Sequence, residues 1–246
     1  MRFELGDLTA ANKEHSLGTP GDRLFVLTGA GISAESGLAT FRGSGGLWNG
    51  HRVEEVATPE AWHANPELVW RFYSMRRRDA KAAEPNAAHR ALAAIEKQMG
   101  DRFYLCTQNV DDLHERAGSR RLHHMHGELF QSRCVRCEQP FADGSFYESL
   151  AELPMCKSCG APVRPHIVWF GEIPLDMNGI YRELDRANVL LVIGTSGSVY
   201  PASGLVHIAN QRGIRTIYVG PEEPQNADAF DEILLGTATE RVPQLL

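Results

Sequence analysis

The chain has 246 residues, is 43% apolar, and carries 25 Lys and Arg against 31 Asp and Glu, for a net charge of −6. These values suit one α/β domain, or one domain with a smaller insertion, and exclude the overall basic surface of a nucleic-acid-binding protein. Arg76-Arg77-Arg78 is a local exception. The longest apolar run is far below the roughly 18 residues of a membrane span, and the first twenty residues lack a signal-peptide core. We therefore predict a soluble cytoplasmic protein with no membrane partner and no specific nucleic-acid partner.

Short apolar runs alternate with helical patterns along the chain. The predicted strands are 23–28, 103–107, 189–193 and 216–219. The predicted helices are 86–99, 180–187, 201–211 and 227–235. Near-continuous apolar strands separated by helices are typical of a parallel sheet covered on both faces. The predicted fold class is therefore α/β, a Rossmann-like doubly wound parallel sheet.

Two stretches, 45–81 and 131–163, do not follow this alternation. The first contains a predicted helix that begins at Asn65, where Asn suits the cap and the following Pro suits the first turn. We expect the two stretches to form a smaller domain, made of a helical module and a metal-binding module. The larger, Rossmann-like domain then comprises residues 1–44, 82–130 and 164–246.

A glycine-rich turn, Gly29-Ala30-Gly31-Ile32-Ser33-Ala34, follows the first predicted strand. It matches the G-x-G-x-x-G/A pattern in which backbone approaches a dinucleotide pyrophosphate, although two glycines also occur in any tight strand-to-helix turn. A dehydrogenase would need an acidic residue at the end of a second strand about 20 residues on. The sequence there does not resemble a strand, so the pattern favours a dinucleotide without hydride transfer.

The residues that follow the other strands are also small or polar. They are 108–111, 194–196 and 220–222. Because ligands of doubly wound sheets bind beyond the carboxyl ends of the strands, we expect these segments to meet at one site.

Four of the five cysteines form two C-x-x-C pairs, Cys134/Cys137 and Cys156/Cys159. This spacing is typical of a four-thiolate zinc site, which has no open coordination position and is therefore structural. Few basic residues surround it, so we do not expect it to bind nucleic acid. Cys106 lies in an apolar run and is predicted to be core.

Three histidines, His123, His124 and His126, lie close together before the first cysteine pair. For His123 and His124 we expect surface or satisfied core positions. His126 precedes a glycine at the predicted cleft between the lobes, where a histidine can act as a general base near neutral pH or simply be structural.

These motifs together resemble those of the sirtuins, a family of NAD-dependent protein-lysine deacylases. The resemblance extends from Leu24 to about Pro243. The motifs that carry it are "GAGISAESGLATFRG", "TQNVDDLHERAG", "MHGELF", the C-x-x-C pairs, "PHIVWFGE", "GTSGSVYPA" and "GTATERVP".

The resemblance implies that NAD is consumed as a co-substrate and that one structural Zn²⁺ is bound. His126 is the implied general base, with Asn109 as a second catalytic residue. Phe41 and Arg42 are implied as a mobile lid that excludes water. The implied NAD-contacting residues are Gly29, Ala30, Gly31, Ile32, Ala34, Glu35, Phe41, Arg42, Trp48, Gln108, Asn109, Val110, Asp111, Gly194, Thr195, Ser196, Gly220, Pro221, Glu222 and Ala238.

The resemblance also implies that the substrate peptide is added as a strand between two segments. Their residues are Val168, Trp169, Phe170, Gly171, Glu172, Val199 and Tyr200. The implied products are nicotinamide, the free lysine and 2′-O-acyl-ADP-ribose.

Arg76 occupies the last place of an apolar helical stripe, Val69, Phe72, Tyr73 and Arg76. From the pattern alone, Arg76 could be a snorkelling side chain or part of a structural ion pair. Tyr73-x-x-Arg76 and Ala57 resemble class III-like sirtuins, in which the Tyr and Arg hold the distal carboxylate of succinyl and malonyl groups and a small residue widens the acyl pocket.

The sequence departs from the family at two positions. Ala39 replaces a usual proline, and Gly220 replaces an asparagine that contacts the adenosine ribose. We predict an NAD-dependent protein-lysine desuccinylase and demalonylase with some deacetylase activity. The alternatives are a sirtuin-like ADP-ribosyltransferase or NAD hydrolase, and a zinc-ribbon module that senses NAD.

Overall fold

The structure of the protein is a computed structural model that describes residues 17, 19–40, 48, 50–196 and 201–245. The predicted lid residues Phe41 and Arg42 lie outside the described residues. Val199 and Tyr200, which are predicted to contact the peptide, lie outside them as well.

Nine strands form two sheets in the described part of the chain. In chain order they are β1 (Leu24–Thr28), β2 (Phe103–Thr107), β3 (Leu122–His124), β4 (Gly127–Cys134), β5 (Pro140–Ala142), β6 (Val163–Ile167), β7 (Val189–Ile193), β8 (Arg215–Gly220) and β9 (Glu232–Leu235). The large sheet is parallel throughout, in the order β3-β2-β1-β7-β8-β9. The small sheet is antiparallel, in the order β5-β4-β6.

The α-helices of the same ranges are α1 (Gly31–Ala34), α2 (Val53–Val56), α3 (Pro59–Ala64), α4 (Pro66–Ala82), α5 (Ala87–Met99), α6 (Leu113–Ala117), α7 (Met177–Arg186), α8 (Ala202–Gln211) and α9 (Ala238–Arg241). Short 3₁₀ turns occur at Gly100–Arg102, Leu150–Glu152, Ala227–Ala229 and Val242–Leu245. None of the helices built from described residues is long and apolar enough to cross a membrane.

The central strands β1 and β7 are buried along their whole length, which explains their uninterrupted apolar sequences. One apolar cluster packs α5 and α9 against one face of the sheet, and a second packs α7 and α8 against the other. Cys106 is fully buried in the second cluster, as predicted. From the centre of the sheet, β1, β2 and β3 follow one another outward in one direction, and β7, β8 and β9 follow one another outward in the other. The strand order thus reverses between β1 and β7, where doubly wound folds place their ligand.

The predicted helix over 227–235 is wrong. Only Ala227–Ala229 are helical, as one 3₁₀ turn, and Glu232–Leu235 form the edge strand β9 beside β8. Ile233 packs against one apolar cluster and Leu234 against the other. Consecutive side chains therefore point to opposite faces, which is the period of a strand and not of a helix.

Helix α4 begins as the sequence predicted. The Asn65 side chain accepts a hydrogen bond from the Leu68 amide at 3.0 Å, and Pro66 occupies the first turn. The helix packs with α2 and α3 on β4 and β6, and forms the core of the smaller lobe. The antiparallel sheet of this lobe spans Gly127 to Ile167, somewhat more than the predicted metal-binding module.

The three arginines at the middle of α4 have different environments. Arg77 is completely buried and donates hydrogen bonds to the carbonyls of Leu129 and Gln131 on β4. Its guanidinium also pairs with the buried carboxylate of Asp143 at 3.3 Å. Arg78 is exposed and pairs with Glu148 at the surface. The basic run is thus not a surface patch, because its middle member ties α4 to the small sheet.

Candidate active site

A cavity of about 540 Å³ lies at the carboxyl ends of the central strands, between the two lobes. The residues predicted for NAD that line it are Gly29, Ala30, Gly31, Trp48, Gln108, Asn109, Val110, Asp111, Gly194, Thr195, Ser196, Pro221 and Glu222. The residues predicted for substrate or catalysis that line it are Ala57, Tyr73, Arg76, His126, Val168, Trp169, Phe170, Gly171 and Glu172. Ile32, Ala34, Glu35, Gly220 and Ala238 are not part of its wall. The segments that sequence analysis expected to meet thus line one cavity.

The glycine turn after β1 packs backbone against backbone with the loop after β7. A Cβ atom on Gly31 would lie 2.6 Å from the Cα of Gly194, and one on Gly29 would lie 2.9 Å from the Gly194 carbonyl oxygen. Gly194 itself has φ +63°, a conformation that glycine adopts without strain. These glycines bring the two loops together, and their backbone then forms one wall of the cavity.

The loop after β2 carries a buried polar network. The Asn109 amide nitrogen donates to Ser33 Oγ at 3.1 Å, and Ser33 Oγ donates to Asp111 Oδ2 at 3.2 Å. Burial raises the pKa of the Asp111 carboxyl, and the Leu113 amide and Ser33 oppose this only in part. Gln108 Nε2 is buried and has no hydrogen-bond partner among the described residues. This loop therefore offers one donor, on Gln108, that the described part of the protein does not use.

His126 lies just before β4, and its Nδ1 atom is 3.2 Å from the carbonyl oxygen of Gln108. A carbonyl can only accept, so Nδ1 carries the proton and Nε2 of the neutral ring is left as a base. Burial lowers the pKa of His126, and the bond to Gln108 opposes this in part. The imidazole is thus neutral at physiological pH, as a general base must be.

The two neighbouring histidines are satisfied, as predicted. His123 Nε2 bonds the Leu175 carbonyl at 3.0 Å. His124 is buried, with Nδ1 on the Asn109 carbonyl at 2.8 Å and Nε2 on Glu115 at 2.7 Å. His124 supports the Asn109 loop from behind and does not line the cavity.

Tyr73 and Arg76 of α4 face the cavity from the small lobe, with Ala57 beside them. Arg76 is only 9% exposed, and its guanidinium lies 4.5 Å from the centre of the Trp48 ring. Its Nη1 atom is buried and has no hydrogen-bond partner among the described residues. Burial lowers the pKa of Arg76, yet an arginine remains charged in proteins. Arg76 does not snorkel, and none of the described carboxylates forms an ion pair with it.

The four paired cysteines come together at the far end of the small sheet. Their sulfur atoms all lie within 4.8 Å of one another, with Cys134 and Cys159 at 3.5 Å and Cys137 and Cys156 at 3.9 Å. Zinc–sulfur bonds of about 2.3 Å in a tetrahedron require sulfur separations of about 3.8 Å. The four thiols therefore fit a zinc ion.

Several residues of the cavity wall were missed by sequence analysis, and two of them, Ser33 and Tyr218, shape the site. Ser33 was passed over as part of a glycine turn, although it links Asn109 to Asp111. Tyr218 and Gly220 point to the same face of β8, and a Cβ on Gly220 would lie 2.2 Å from the Tyr218 hydroxyl. Tyr218 thus occupies the space in front of Gly220 and lines the cavity in its place. The i, i+2 spacing on a strand was the signal that could have found it.

The fold and the site together define the class of this protein. It is an α/β protein with a doubly wound parallel sheet, a ligand cavity where the strand order reverses, and an inserted four-cysteine module. The Sir2 family model matches residues 29–201, and the chain belongs to that family. The sirtuin resemblance of the sequence is thereby confirmed.

Individual relatives agree with this assignment. The chain is 50% identical over 228 residues to an NAD-dependent protein deacylase of Salmonella typhimurium, covering 91% of this chain and 82% of that protein. A Sir2 homologue in complex with NAD matches with TM-score 0.84 and 44% identity, covering 92% and 88% of the two chains. A substituted Sir2 homologue in complex with 2′-O-acetyl-ADP-ribose matches with TM-score 0.83 and 44% identity, covering 90% and 89%.

Proposed function

We propose that this protein is an NAD-dependent protein-lysine deacylase that prefers succinyl-lysine and malonyl-lysine over acetyl-lysine. It releases nicotinamide, the free lysine side chain and 2′-O-acyl-ADP-ribose. Its membership of the Sir2 family and the deacylase relatives support the reaction. The acyl preference depends on α4 and is the finer part of the proposal.

The large domain is proposed to bind NAD. The packed turns at Gly29–Gly31 and Gly194 offer backbone for its phosphates, and the spare Gln108 amide offers a donor. When bound, NAD supplies the ribose carbon to which the acyl oxygen is transferred as nicotinamide leaves. Asn109 and Asp111 are proposed to line the nicotinamide side, and Phe41 and Arg42 to close over it.

His126 is proposed as the general base. Its Nδ1 proton is engaged by the Gln108 carbonyl, so Nε2 is free to accept a proton from a ribose hydroxyl. Burial keeps the ring neutral before it accepts that proton. Asn109 is proposed to act beside it, because its amide is held by Ser33 within the same wall.

One observation supports the acyl preference above all others. Arg76 places a buried guanidinium in the cavity, and its Nη1 atom has no partner among the described residues. A buried, charged N–H group without an acceptor is costly, so this position suits a ligand that brings a carboxylate. Succinyl and malonyl groups end in a carboxylate, whereas an acetyl group does not.

The size of the proposed acyl preference follows from the type of hydrogen bond that Arg76 would make to the carboxylate. A charge-assisted hydrogen bond contributes roughly 1.5–3 kcal/mol, which corresponds to a preference of about tenfold to a hundredfold. The methyl group of Ala57 leaves room for the longer acyl chain beside Tyr73. Acetyl-lysine is still a substrate, because the carboxylate contact is the only one that it lacks. It is a poorer substrate for the same reason.

The acylated lysine is proposed to enter on a peptide that pairs with residues 168–172. Main-chain hydrogen bonds would provide the affinity, with modest dependence on the flanking sequence. Val199 and Tyr200 are proposed to hold the opposite side of the peptide. The zinc module is proposed to have a structural role, because four thiolates leave no open position on the metal.

The reaction is tested with purified protein, NAD and a succinyl-lysine peptide, followed by mass spectrometry. We expect succinyl-ADP-ribose and the deacylated peptide in equal amounts. Release of nicotinamide without deacylated peptide would instead indicate an NAD hydrolase. Transfer of ADP-ribose to protein would indicate a transferase, and NAD binding without turnover would indicate a sensor module.

A further inference from the structure

The indole of Trp169 is hydrogen-bonded to the hydroxyl of Tyr73. Trp169 Nε1 donates to Tyr73 Oη at 3.1 Å, and both side chains are buried. A tyrosine hydroxyl can accept and can also donate one proton. Because Trp169 occupies the accepting side, the Tyr73 proton remains available, and it is donated to none of the described residues.

The Trp169 ring is held in place by charged groups. The guanidinium of Arg164 lies over the ring, 3.3 Å from its centre. Glu172 accepts two hydrogen bonds from Arg164 at 2.7 Å each, and a third from the Trp169 backbone amide at 2.8 Å. The carboxylate of Glu172 therefore fixes both the backbone of Trp169 and the cation that lies over its ring.

Tyr73 also lies on the wall of the acyl pocket with Arg76, one turn away on α4. A hydroxyl whose oxygen is fixed by one donor has a restricted set of directions for its own proton. Arg76 provides the charge that attracts a carboxylate, while the Tyr73 proton provides a directed hydrogen bond. The two contacts together suit the two oxygens of one carboxylate.

We infer that Trp169 is a positioning residue for acyl selectivity, which acts by orienting the Tyr73 hydroxyl toward the distal carboxylate of the acyl group. This inference rests on the proposed preference for succinyl and malonyl groups. It assigns a role to the Trp169 side chain that is separate from the pairing of its backbone with the peptide. Acetyl-lysine has no distal carboxylate and does not use the Tyr73 proton.

Trp169→Phe tests this role by removing the N–H donor while keeping an aromatic ring beneath Arg164. We expect KM for succinyl-lysine peptide to rise roughly three- to tenfold, as for the loss of a neutral hydrogen bond, with kcat little changed. The deciding quantity is the ratio of the two substrates: KM for acetyl-lysine peptide should rise less than KM for succinyl-lysine peptide, because the acetyl group does not use the Tyr73 proton. Trp62→Phe is the matched control, because its ring lies 6.0 Å from that of Trp169 and makes no hydrogen bond to Tyr73.

A double-mutant cycle separates this role from general packing. In a Tyr73→Phe background, Trp169→Phe should cause no further loss of the succinyl-to-acetyl ratio. If Trp169→Phe does not fold, β-(3-benzothienyl)alanine at position 169 removes the N–H from a ring of the same size. Equal losses on both substrates, or additive losses in the cycle, would overturn the inference.

The unmodified enzyme distinguishes this inference from the function on which it rests. Absence of any succinyl preference in the unmodified enzyme would contradict the proposed function. A preference that is present and depends on Arg76, but survives Trp169→Phe, would contradict only the role of Trp169.

Discussion

The Nδ1 atom of His126 and the carbonyl oxygen of Gln108 lie 3.2 Å apart, which assigns the ring proton to Nδ1 and the basic lone pair to Nε2. The same loop that orients the base also carries Asn109, whose amide is held by Ser33. The proposed base and the loop proposed to bind NAD are therefore positioned by one segment after β2.

Replacement of the base should separate binding from turnover. We expect His126→Ala to reduce deacylation to below a few per cent while NAD binding persists, since the residues proposed to bind NAD are mostly others. Steady-state kinetics and calorimetric titration with NAD provide the two measurements. Deacylation well above that level would assign the base to another group.

The pH dependence of the reaction follows from the burial of His126. Burial lowers its pKa from the ordinary value of 6.5, so the ring stays neutral to lower pH than a free histidine. The acid limb of kcat/KM should therefore have its midpoint below pH 6.5, with activity lost as the pH falls through it. A midpoint above pH 6.5 would disagree with a desolvated base.

Arg76→Met should change the acyl preference. Methionine keeps an apolar stem beside Trp48 but removes the charge, so we expect about a tenfold to hundredfold loss in kcat/KM for succinyl-lysine. The kcat/KM for acetyl-lysine should change by less than about threefold. Arg71→Met is a matched control on the exposed face of α4, and should alter neither substrate. Equal losses on both substrates would make Arg76 structural.

Arg77, which follows Arg76 on α4, should contribute to the stability of the fold. Removing a buried partner leaves Asp143 uncompensated, and we expect Arg77→Ala to lower the free energy of unfolding by about 3–5 kcal/mol. Arg78→Ala removes only a surface pair and should cost about 0–1 kcal/mol. Urea denaturation of the two variants measures the difference. Similar midpoints for both would show that the Arg77 network contributes little.

Removal of zinc should unfold the small lobe and spare the chemistry itself. Four thiolates fill the coordination sphere, so chelation should lower the melting temperature and expose the module to protease. Limited proteolysis with and without a chelator measures this, and the large domain is the internal control. A folded, zinc-free protein that loses only activity would point to a catalytic metal instead.

The sequence predicted the parts of the fold that depend on local pattern. The buried strands, the start of α4 at Asn65 and the cysteine module all appear where expected. The edge strand β9 was misread, because Ile233 and Leu234 suit a helix equally well until β8 lies beside them. The sequence predicted that Gly220 contacts NAD. Only the fold shows that the Tyr218 side chain lies in front of Gly220.

Arg76, Arg77 and Arg78 show most clearly why the rest of the site could not be read from the sequence. Three identical residues in a row have three environments, which are a cavity, a buried ion pair and the surface. Their positions differ only by the 100° turn of a helix between residues, and the surroundings of each depend on segments far away in the chain. Tertiary contacts, and not residue type, decide what each arginine does.

The residues proposed to choose the acyl group all lie on the smaller lobe and the segment that follows β6, whereas the cavity residues proposed to bind NAD lie mainly at the ends of the parallel strands. A replacement of residues 57–76 by the corresponding segment of a relative with a different acyl preference, with residue 169 matched to that relative, should therefore change acyl preference and leave the wall proposed to bind NAD intact. Arg77 lies just beyond this segment and must be kept in any longer exchange, since it donates hydrogen bonds to the carbonyls of β4. The proposed determinants of acyl preference thus form a small part of the chain that can be exchanged separately from the parallel sheet, provided that Arg77 is kept.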